Sequence, residues 1–371
     1  MDPGSPDVVV VGGGLAGLTA ASALHRAGRA VRVIEARPLV GGRMMTVVPD
    51  GLGERAWVDV GATWHWDDQP RVKALVAELD IAVFPQYRTG RAMADDRPGA
   101  QPSAVDVPPA SPAELRFVGG AQDVCQRLAD RLPPGTVSLD STAVAVEVDD
   151  AGGGVAVNVI GPDGTGSDLR ASQVVIAIPP RLALDTVAFT PDLPDEVEEV
   201  LRHTPTWMAT ALKCVAVYEA AFWREAGLSG LAFSTVGPLR EVHDAGNDDG
   251  SLAALWGFIS PNHAFRDLSF DERRDQVFEQ LGRFFGPAAA DPLRYLERDW
   301  SGDPFTNDEV FWVPHDLLAY GHPRMAEPLF GGRLVWAGTE TSAEGGGHME
   351  GALLSGDRAA RLILESTGGP Q

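Results

Sequence analysis

Cysteine and long apolar runs are scarce in this chain of 371 residues. The two cysteines, Cys125 and Cys214, stand far apart and lack the spacing of metal ligands, so neither a disulfide framework nor a metal site is predicted. No run of about 18 apolar residues occurs, which argues against a membrane-spanning helix. The first predicted strand begins by Asp7, which leaves no room for a signal peptide. We therefore expect a cytoplasmic protein without a membrane partner.

Positive charge is also in short supply. The chain has 30 Lys and Arg residues against 52 Asp and Glu residues, a net charge of -22. Such a chain repels nucleic acid and anionic membranes, so neither is an expected partner. The same charge would attract cationic ligands, although general surface acidity is the simpler explanation. The length and a hydrophobic content of 44% are those of a globular protein with room for two domains.

A glycine-rich turn joins the first predicted strand to the first helix. The unit comprises a strand at 7–11, the turn Gly12-Gly-Gly-Leu-Ala-Gly17, a helix at 18–27 and a strand at 30–35. Gly12 permits a tight turn, Gly14 lets the backbone approach a pyrophosphate, and Gly17 lets helix and strand pack closely. Glu35 ends the second strand, where a carboxylate accepts the ribose hydroxyls. The unit predicts a bound dinucleotide rather than a merely structural turn, and by itself it leaves NAD and FAD open.

Further elements are predicted from periodicity and turn residues. The predicted helices are 71–79, 120–132, 270–285 and 349–364, and the predicted strands are near 137 and at 143–148, 155–160, 173–178, 252–259 and 332–337. The segment from Arg88 to Arg116 contains five prolines and many small residues. It is predicted to be a loop or mobile connector.

Motifs beyond the glycine turn run through most of the chain in order. Glu35-Ala-Arg-Pro-Leu-Val-Gly-Gly-Arg43 resembles the E-A-R-x-x-x-G-G-R signature of the flavin-containing amine oxidases, whose relatives include monoamine, polyamine and L-amino acid oxidases. The other matches are Asp59-Val-Gly-Ala-Thr-Trp64, Phe117-Val-Gly-Gly120, Val174-Val-Ile-Ala-Ile-Pro-Pro180, Lys213 with Phe222-Trp-Arg224, Trp300-Ser-Gly302, Ala337-Gly-Thr-Glu-Thr341 and Met349-Glu-Gly-Ala352. The segment from Arg88 to Arg116 has no match.

The resemblance implies an α/β fold with a Rossmann-type FAD-binding domain and a second, smaller α+β substrate domain, on the two-domain plan of the monoamine oxidases. The FAD-binding domain is expected from residues 1–83, 108–202 and 298–371, and the substrate domain from 84–107 and 203–297. The residues expected around the FAD are Gly12, Gly14, Gly17, Glu35, Arg37, Gly42, Arg43, Gly61, Ala62, Thr63, Trp300, Gly338, Glu340 and Met349.

Two further expectations concern how the FAD is held. The helix that begins at Met349 follows a glycine-rich loop, so its first amide groups could face the flavin atoms that gain negative charge on reduction. A flexible loop before an ordinary helix is the alternative. In some relatives a cysteine directly before the first ring of the substrate cage carries the flavin covalently. Pro304 holds that position here, so the FAD is expected to be non-covalent.

Lys213 lies in a stretch that is apolar on both faces of a strand. An unpaired ammonium buried there would cost several kcal/mol or lose its proton. In the monoamine oxidases that this chain resembles, a lysine in the same strand contacts flavin N5 through a water. The resemblance thus gives Lys213 a catalytic role, stabilising reduced oxygen during flavin reoxidation. The alternative is an ammonium that reaches the surface along the stem; Cys214, on the opposite face, is expected in the core.

Phe305 and His348 occupy the positions of the two aromatic rings that hold the amine in monoamine oxidases, and Trp64 is expected to line the same site. His348 titrates near neutrality, so it could bond a polar atom of the substrate, act in proton transfer, or merely cap its helix. Gly345 replaces a tryptophan of the family, which is expected to widen the pocket.

The expected activity is oxidation of a C–N bond to an imine by FAD, with reduction of O2 to H2O2. The substrate is a small-molecule or carrier-presented amine, and a bulky natural product is favoured because the short segment at 88–116 leaves the site open. A second subunit of a homodimer could cover it. The alternatives are an L-amino acid oxidase, with Arg71 or Arg88 taking the carboxylate, a desaturase or isomerase acting on C–C bonds, and an FAD-stabilised partner protein without turnover.

Overall fold

The computed structural model describes residues 5–53, 55–149, 154–261, 263–306 and 320–366. The strands are β1 (Val8–Val11), β2 (Val31–Ile34), β3 (Thr46–Val47), β4 (Val58–Asp59), β5 (Trp64–Trp66), β6 (Val83–Pro85), β7 (Arg91–Asp95), β8 (Ser103–Val105), β9 (Glu114–Phe117), β10 (Val137–Ser138), β11 (Thr142–Asp149), β12 (Gly154–Ile160), β13 (Gly166–Ala171), β14 (Gln173–Ile176), β15 (Ala188–Thr190), β16 (Leu212–Tyr218), β17 (Leu228–Ser234), β18 (Leu239–Asp244), β19 (Ala253–Ile259), β20 (Arg294–Asp299) and β21 (Leu334–Trp336). The helices are α1 (Leu15–Arg26), α2 (Pro70–Glu78), α3 (Gln122–Asp130), α4 (Pro180–Thr186), α5 (Asp195–His203), α6 (Phe222–Glu225), α7 (His263–Arg266), α8 (Phe270–Phe285), α9 (Pro323–Ala326) and α10 (Met349–Ser366).

A parallel sheet of order β10-β2-β1-β14-β21 lies at the centre of one part of the fold, with other elements packed on both of its faces. The four valines of β1 are buried, as a strand covered on both faces requires. Helices α1, α3 and α10 cover one face. The other face packs against the sheet β13-β12-β11-β15 with α4 and α5. The predicted Rossmann-type fold is confirmed, with α1 beginning at Leu15, earlier than the pattern suggested.

A second sheet, of order β20-β16-β19-β18-β17-β7-β8, contains the Lys213 strand. Every residue of β16 is buried. Leu212, Cys214 and Ala216 pack with α8 in one core, whereas Val215 and Val217 belong to another core on the opposite face. The predicted two-sided strand and the core position of Cys214 are therefore confirmed.

The segment from Arg88 to Arg116 is not a loop throughout, and the prediction was wrong for the strand residues that lie in it. It holds β7, β8 and most of β9, and β7 pairs in parallel with β17. Ala92 and Met93 of β7 are buried, so a partner strand far away in sequence stabilises a segment with a weak local signal. The prolines lie between these strands and end them, which is compatible with strand pairing.

The division into two domains stays a prediction. The expected boundary at 298 falls inside β20, which pairs with β16. In the ranges that the structure describes, no helix is both long and apolar enough to cross a bilayer.

Candidate active site

A cavity of about 740 Å³ lies where the two large sheets meet. The carboxyl ends of β1 and β2 and the residue after β14 supply Val11, Ile34 and Ala177 to its wall, and the seven-stranded sheet supplies Lys213 and Trp256. Ligands of open α/β sheets bind at the carboxyl ends of the strands. The volume also falls in the range of roughly 300–1,000 Å³ that is usual for small-molecule sites.

The glycine turn after β1 is shaped by close backbone contacts. A Cβ on Gly12, whose φ is +108°, would lie 2.7 Å from the carbonyl oxygen of Ala177, and one on Gly17 would lie 2.0 Å from that of Gly12. At Gly14 the nearest atoms are 3.9 Å away, so the turn is open on the side that lines the cavity. Only glycine fits at positions 12 and 17, and a pyrophosphate can approach the backbone at Gly14.

Glu35 is fixed beside this turn. Its carboxylate accepts hydrogen bonds from the backbone N–H of Gly13 at 2.7 Å and of Arg37 at 2.8 Å. Burial raises the pKa of Glu35, although these two bonds oppose the shift. The Arg37 side chain is held in turn by Asp303 at 2.5 Å and Thr306 at 2.7 Å. The pair is thus a rigid part of the wall where ribose hydroxyls would bind.

Arg43 and Glu340 form a two-point ion pair. The guanidinium donates to the two carboxylate oxygens at 2.6 and 3.1 Å, and Glu340 is fully buried. Burial by itself lowers the pKa of Arg43, but the carboxylate outweighs it and the net shift is upward. Arg43 lines the cavity while Glu340 stands behind it. The glycine turn, Glu35 and this pair together form a set of hydrogen-bonding groups that fits FAD.

Lys213 lies with its ammonium inside the protein, 1% exposed, so the alternative of a surface-reaching side chain is wrong. Its Nζ donates to Thr63 Oγ1 at 2.6 Å and to the carbonyl oxygen of Gly61 at 3.0 Å. The same atom lies 4.1 Å from the ring centroid of Trp256, a cation–π contact. Burial lowers the pKa of Lys213 to about 7, although Asp59 opposes the shift.

Cross-strand register aligns two rows of residues in the sheet beside the cavity. Lys213, Phe258 and Glu241 are direct partners on β16, β19 and β18, and Val215, Trp256 and His243 form the next row. The rings of Trp256 and His243 stack at 4.4 Å. Trp64 contacts both of them, at 5.3 and 5.1 Å. Trp64 therefore lies on the same wall as Lys213.

His348 precedes α10 and lies between two indole rings. Its ring centroid is 5.1 Å from that of Trp66 and 5.9 Å from that of Trp207. Nδ1 is 3.1 Å from the carbonyl oxygen of Gly346, so the side chain does not cap the helix. Burial lowers the pKa of His348. The Phe305 ring instead lies 5.5 Å from the Arg37 guanidinium, and its pairing with His348 stays a prediction.

The structure brings nearly all the predicted site residues to one cavity. Those that line it are Gly12, Gly14, Glu35, Arg37, Gly42, Arg43, Gly61, Ala62, Thr63, Trp64, Lys213, Trp300, Gly338, Phe305, His348 and Met349. Gly17 and Glu340 do not line it but support residues that do. Gly345 is also outside the lining. Its φ is +61°, and a Cβ there would lie 2.9 Å from that of Glu350, so the backbone favours glycine, and the widening of the pocket stays a prediction.

Several lining residues were missed from the sequence, namely Trp66, Trp207, Arg240, Glu241 and Trp256. Trp66 shares a strand face with Trp64, a signal that two-residue periodicity offered. Trp256 becomes a site residue only through its pairing with the Lys213 strand. Arg71 and Arg88 do not line the cavity and are paired with Asp357 and Glu114.

Comparison with known proteins gives consistent matches. Residues 111–364 match the family described as flavin containing amine oxidoreductase, and residues 10–79 match an NAD(P)-binding Rossmann-like domain. The chain is 30% identical to a putrescine oxidase of Kocuria rosea, with 96% of this chain and 95% of the relative covered. It is 26% identical to a probable flavin-containing monoamine oxidase A of Dictyostelium discoideum, with 97% of each covered.

Solved structures are similar as well. A wild-type putrescine oxidase bound to putrescine superposes with a TM-score of 0.84 at 26% identity, covering 97% of this chain and 99% of that one. A cyclohexylamine oxidase from Brevibacterium oxydans IH-35A gives 0.85 at 22% identity, with 98% and 99% covered, a likeness of fold alone.

Proposed function

The chain belongs to the flavin containing amine oxidoreductase family and is a flavin-dependent amine oxidase with FAD as its cofactor, and from this premise we propose that its substrate is a bulky amine. The C–N bond loses two electrons and two protons to become an imine, and O2 takes up the same number to become H2O2. FAD, when bound, supplies the two-electron acceptor. The observation that supports the oxidation itself is the buried Lys213 side chain in the same cavity as the glycine turn.

The roles of the side chains follow from their contacts. Lys213 would hold a positive charge beside the cofactor, where it stabilises reduced oxygen and orders the water that hydrolyses the imine. Trp64, His348 and Phe305 would bound the space for the amine. The cofactor would be bound by Gly12, Gly14, Glu35, Arg37, Gly42, Arg43, Gly61, Ala62, Thr63, Trp300, Gly338 and Met349, with Gly17 and Glu340 in support.

The preference for a bulky or carrier-presented amine rests on chain length. The alignment with the Kocuria rosea relative extends over 465 positions, whereas this chain has 371 residues, so the relative carries segments that this chain lacks. Less protein is then available to exclude water from the imine. A large substrate, or a second subunit, would supply the missing cover. We also propose non-covalent FAD and, because both cysteines are free thiols, a reducing compartment such as the cytoplasm.

The test is a steady-state comparison of benzylamine with bulky amines, with peroxide as the readout and the mass in solution measured alongside. Bulky amines should have the higher kcat/KM. Turnover of benzylamine by a monomer at or above about 10⁴ M⁻¹s⁻¹ would contradict the proposal. Flavin reduction without peroxide would instead favour the desaturase or isomerase alternative, and no reduction by any substrate would favour the partner protein. The L-amino acid oxidase alternative would need a carboxylate site, for which Arg240 is the cavity-lining candidate.

A further inference from the structure

The imidazole of His348 has one ring nitrogen already committed. Nδ1 lies 3.1 Å from the carbonyl oxygen of Gly346, and a carbonyl oxygen can only accept a hydrogen bond. Nδ1 therefore carries the hydrogen. In a neutral imidazole the other nitrogen, Nε2, is then an acceptor and cannot donate.

The surroundings keep this imidazole neutral and fixed. The rings of Trp66 and Trp207 contact it, and burial lowers its pKa. His348 also directly precedes the first residue of α10, where the positive end of the helix dipole disfavours a second proton. Its backbone carbonyl accepts a hydrogen bond from Thr339 Oγ1 at 2.8 Å. The titratable residues on the adjoining segments include Tyr320, Glu340 and Glu350, as well as Glu344, Asp67 and Asp68. Glu340 is paired with Arg43, and Glu350 accepts from the N–H groups of Arg71 and Val72.

We propose that His348 Nε2 is a specificity-determining acceptor in the amine site, which selects substrates that keep an N–H when neutral. This inference rests on the proposed amine oxidation. A neutral primary or secondary amine donates an N–H to Nε2 and is oriented by that bond. A neutral tertiary amine has no N–H, so it leaves Nε2 without a donor in a half-buried site flanked by indoles. The substrate class is therefore primary and secondary amines.

The test uses three amines with one carbon skeleton, the primary amine, its N-methyl form and its N,N-dimethyl form. For the wild type, kcat/KM should fall about 10- to 100-fold at the third member, the scale of one unmet hydrogen bond in a buried site. His348→Phe keeps a ring but has no acceptor. In this variant the primary and N-methyl amines should lose their higher kcat/KM, and the kcat/KM values of all three amines should converge. His348→Gln, whose side-chain oxygen can accept, should recover part of it.

A second readout does not depend on turnover. Cumylamine has a primary amine but no hydrogen on the carbon that bears it, so it can bind without being oxidised. Its Kd, from the change in flavin absorbance, should rise about 10- to 100-fold in His348→Phe and less in His348→Gln. Melting temperature and FAD content report whether each variant is folded. His322→Phe, which removes an imidazole outside the cavity lining, is the matched control and should leave both readouts unchanged.

The outcomes separate this inference from the function on which it rests. If no amine yields peroxide, the proposed oxidation fails. If amines are oxidised but the dimethyl form matches the primary form in the wild type, or His348→Phe leaves the ratios and the Kd of cumylamine unchanged, the selection by Nε2 is overturned while the oxidation stands.

Discussion

Lys213 donates a hydrogen bond from Nζ to Thr63 Oγ1 at 2.6 Å, which ties a central strand of the seven-stranded sheet to the segment after β4. The contact joins residues that are 150 positions apart and holds a buried ammonium at the wall of the cavity. Among the residues that the structure describes, Nζ contacts a hydroxyl and a carbonyl oxygen but no carboxylate. Below its pKa of about 7 the ammonium is thus available to a negative charge that develops in the cavity.

Lys213→Met should retain FAD and fold, because a methionine of similar length suits a strand that is buried on both faces. Flavin reoxidation by O2, measured by stopped flow, should slow by roughly 10- to 10³-fold, the scale of losing one placed electrostatic stabiliser. Lys73→Met, on the surface of α2, is the control and should leave the rate unchanged. An unaltered rate in Lys213→Met would remove the catalytic role.

The stability contribution of Lys213 should depend on pH in a defined direction. The pKa is about 7 in the folded protein against 10.5 for the free side chain, so between these values the unfolded chain binds a proton that the folded chain does not. Stability then rises with pH, by about 1.4 kcal/mol per pH unit for one proton. The melting temperature of the wild type should therefore increase relative to Lys213→Met from pH 7 to pH 10. A constant difference would show that the buried amine is not shifted.

Thr63→Val should remove the hydrogen bond that holds the Lys213 ammonium while keeping the shape of the side chain at position 63. We expect slower reoxidation than in the wild type, and recovery in Thr63→Ser, which restores the hydroxyl. In the Lys213→Met background the same valine substitution should have no further effect, because residues that act through one contact are non-additive. Equal effects in both backgrounds would mean that Thr63 acts on the cofactor independently of Lys213.

The FAD should be released when the protein is precipitated with acid. Pro304, which has no thiol, lines the cavity at the position expected for covalent attachment. Both cysteines are buried, and burial raises the pKa of each thiol to about 12, so neither is reactive. Yellow supernatant and colourless pellet are the expected result. Flavin that remains in the pellet would show a covalent link through another residue.

The sequence by itself determined the parts of this protein whose signal is local. The glycine spacing from Gly12 to Gly17, with Glu35 at the end of the next strand, predicted the dinucleotide site, and close backbone contacts do require glycine at Gly12 and Gly17. The alternation around Lys213 predicted a strand buried on both faces, because side chains on a strand alternate. The family motifs added the cofactor.

Tertiary structure decided what depends on distant partners. The strand β7 exists because β17 pairs with it across more than a hundred residues, and its own proline-rich surroundings predicted a loop. Trp256 joins the site through the register of β19 with β16. His348 lies between Trp66 and Trp207 because three separate segments converge before α10. Contacts between remote segments form because folding buries their apolar surfaces against one another. No local sequence pattern specifies which segments meet.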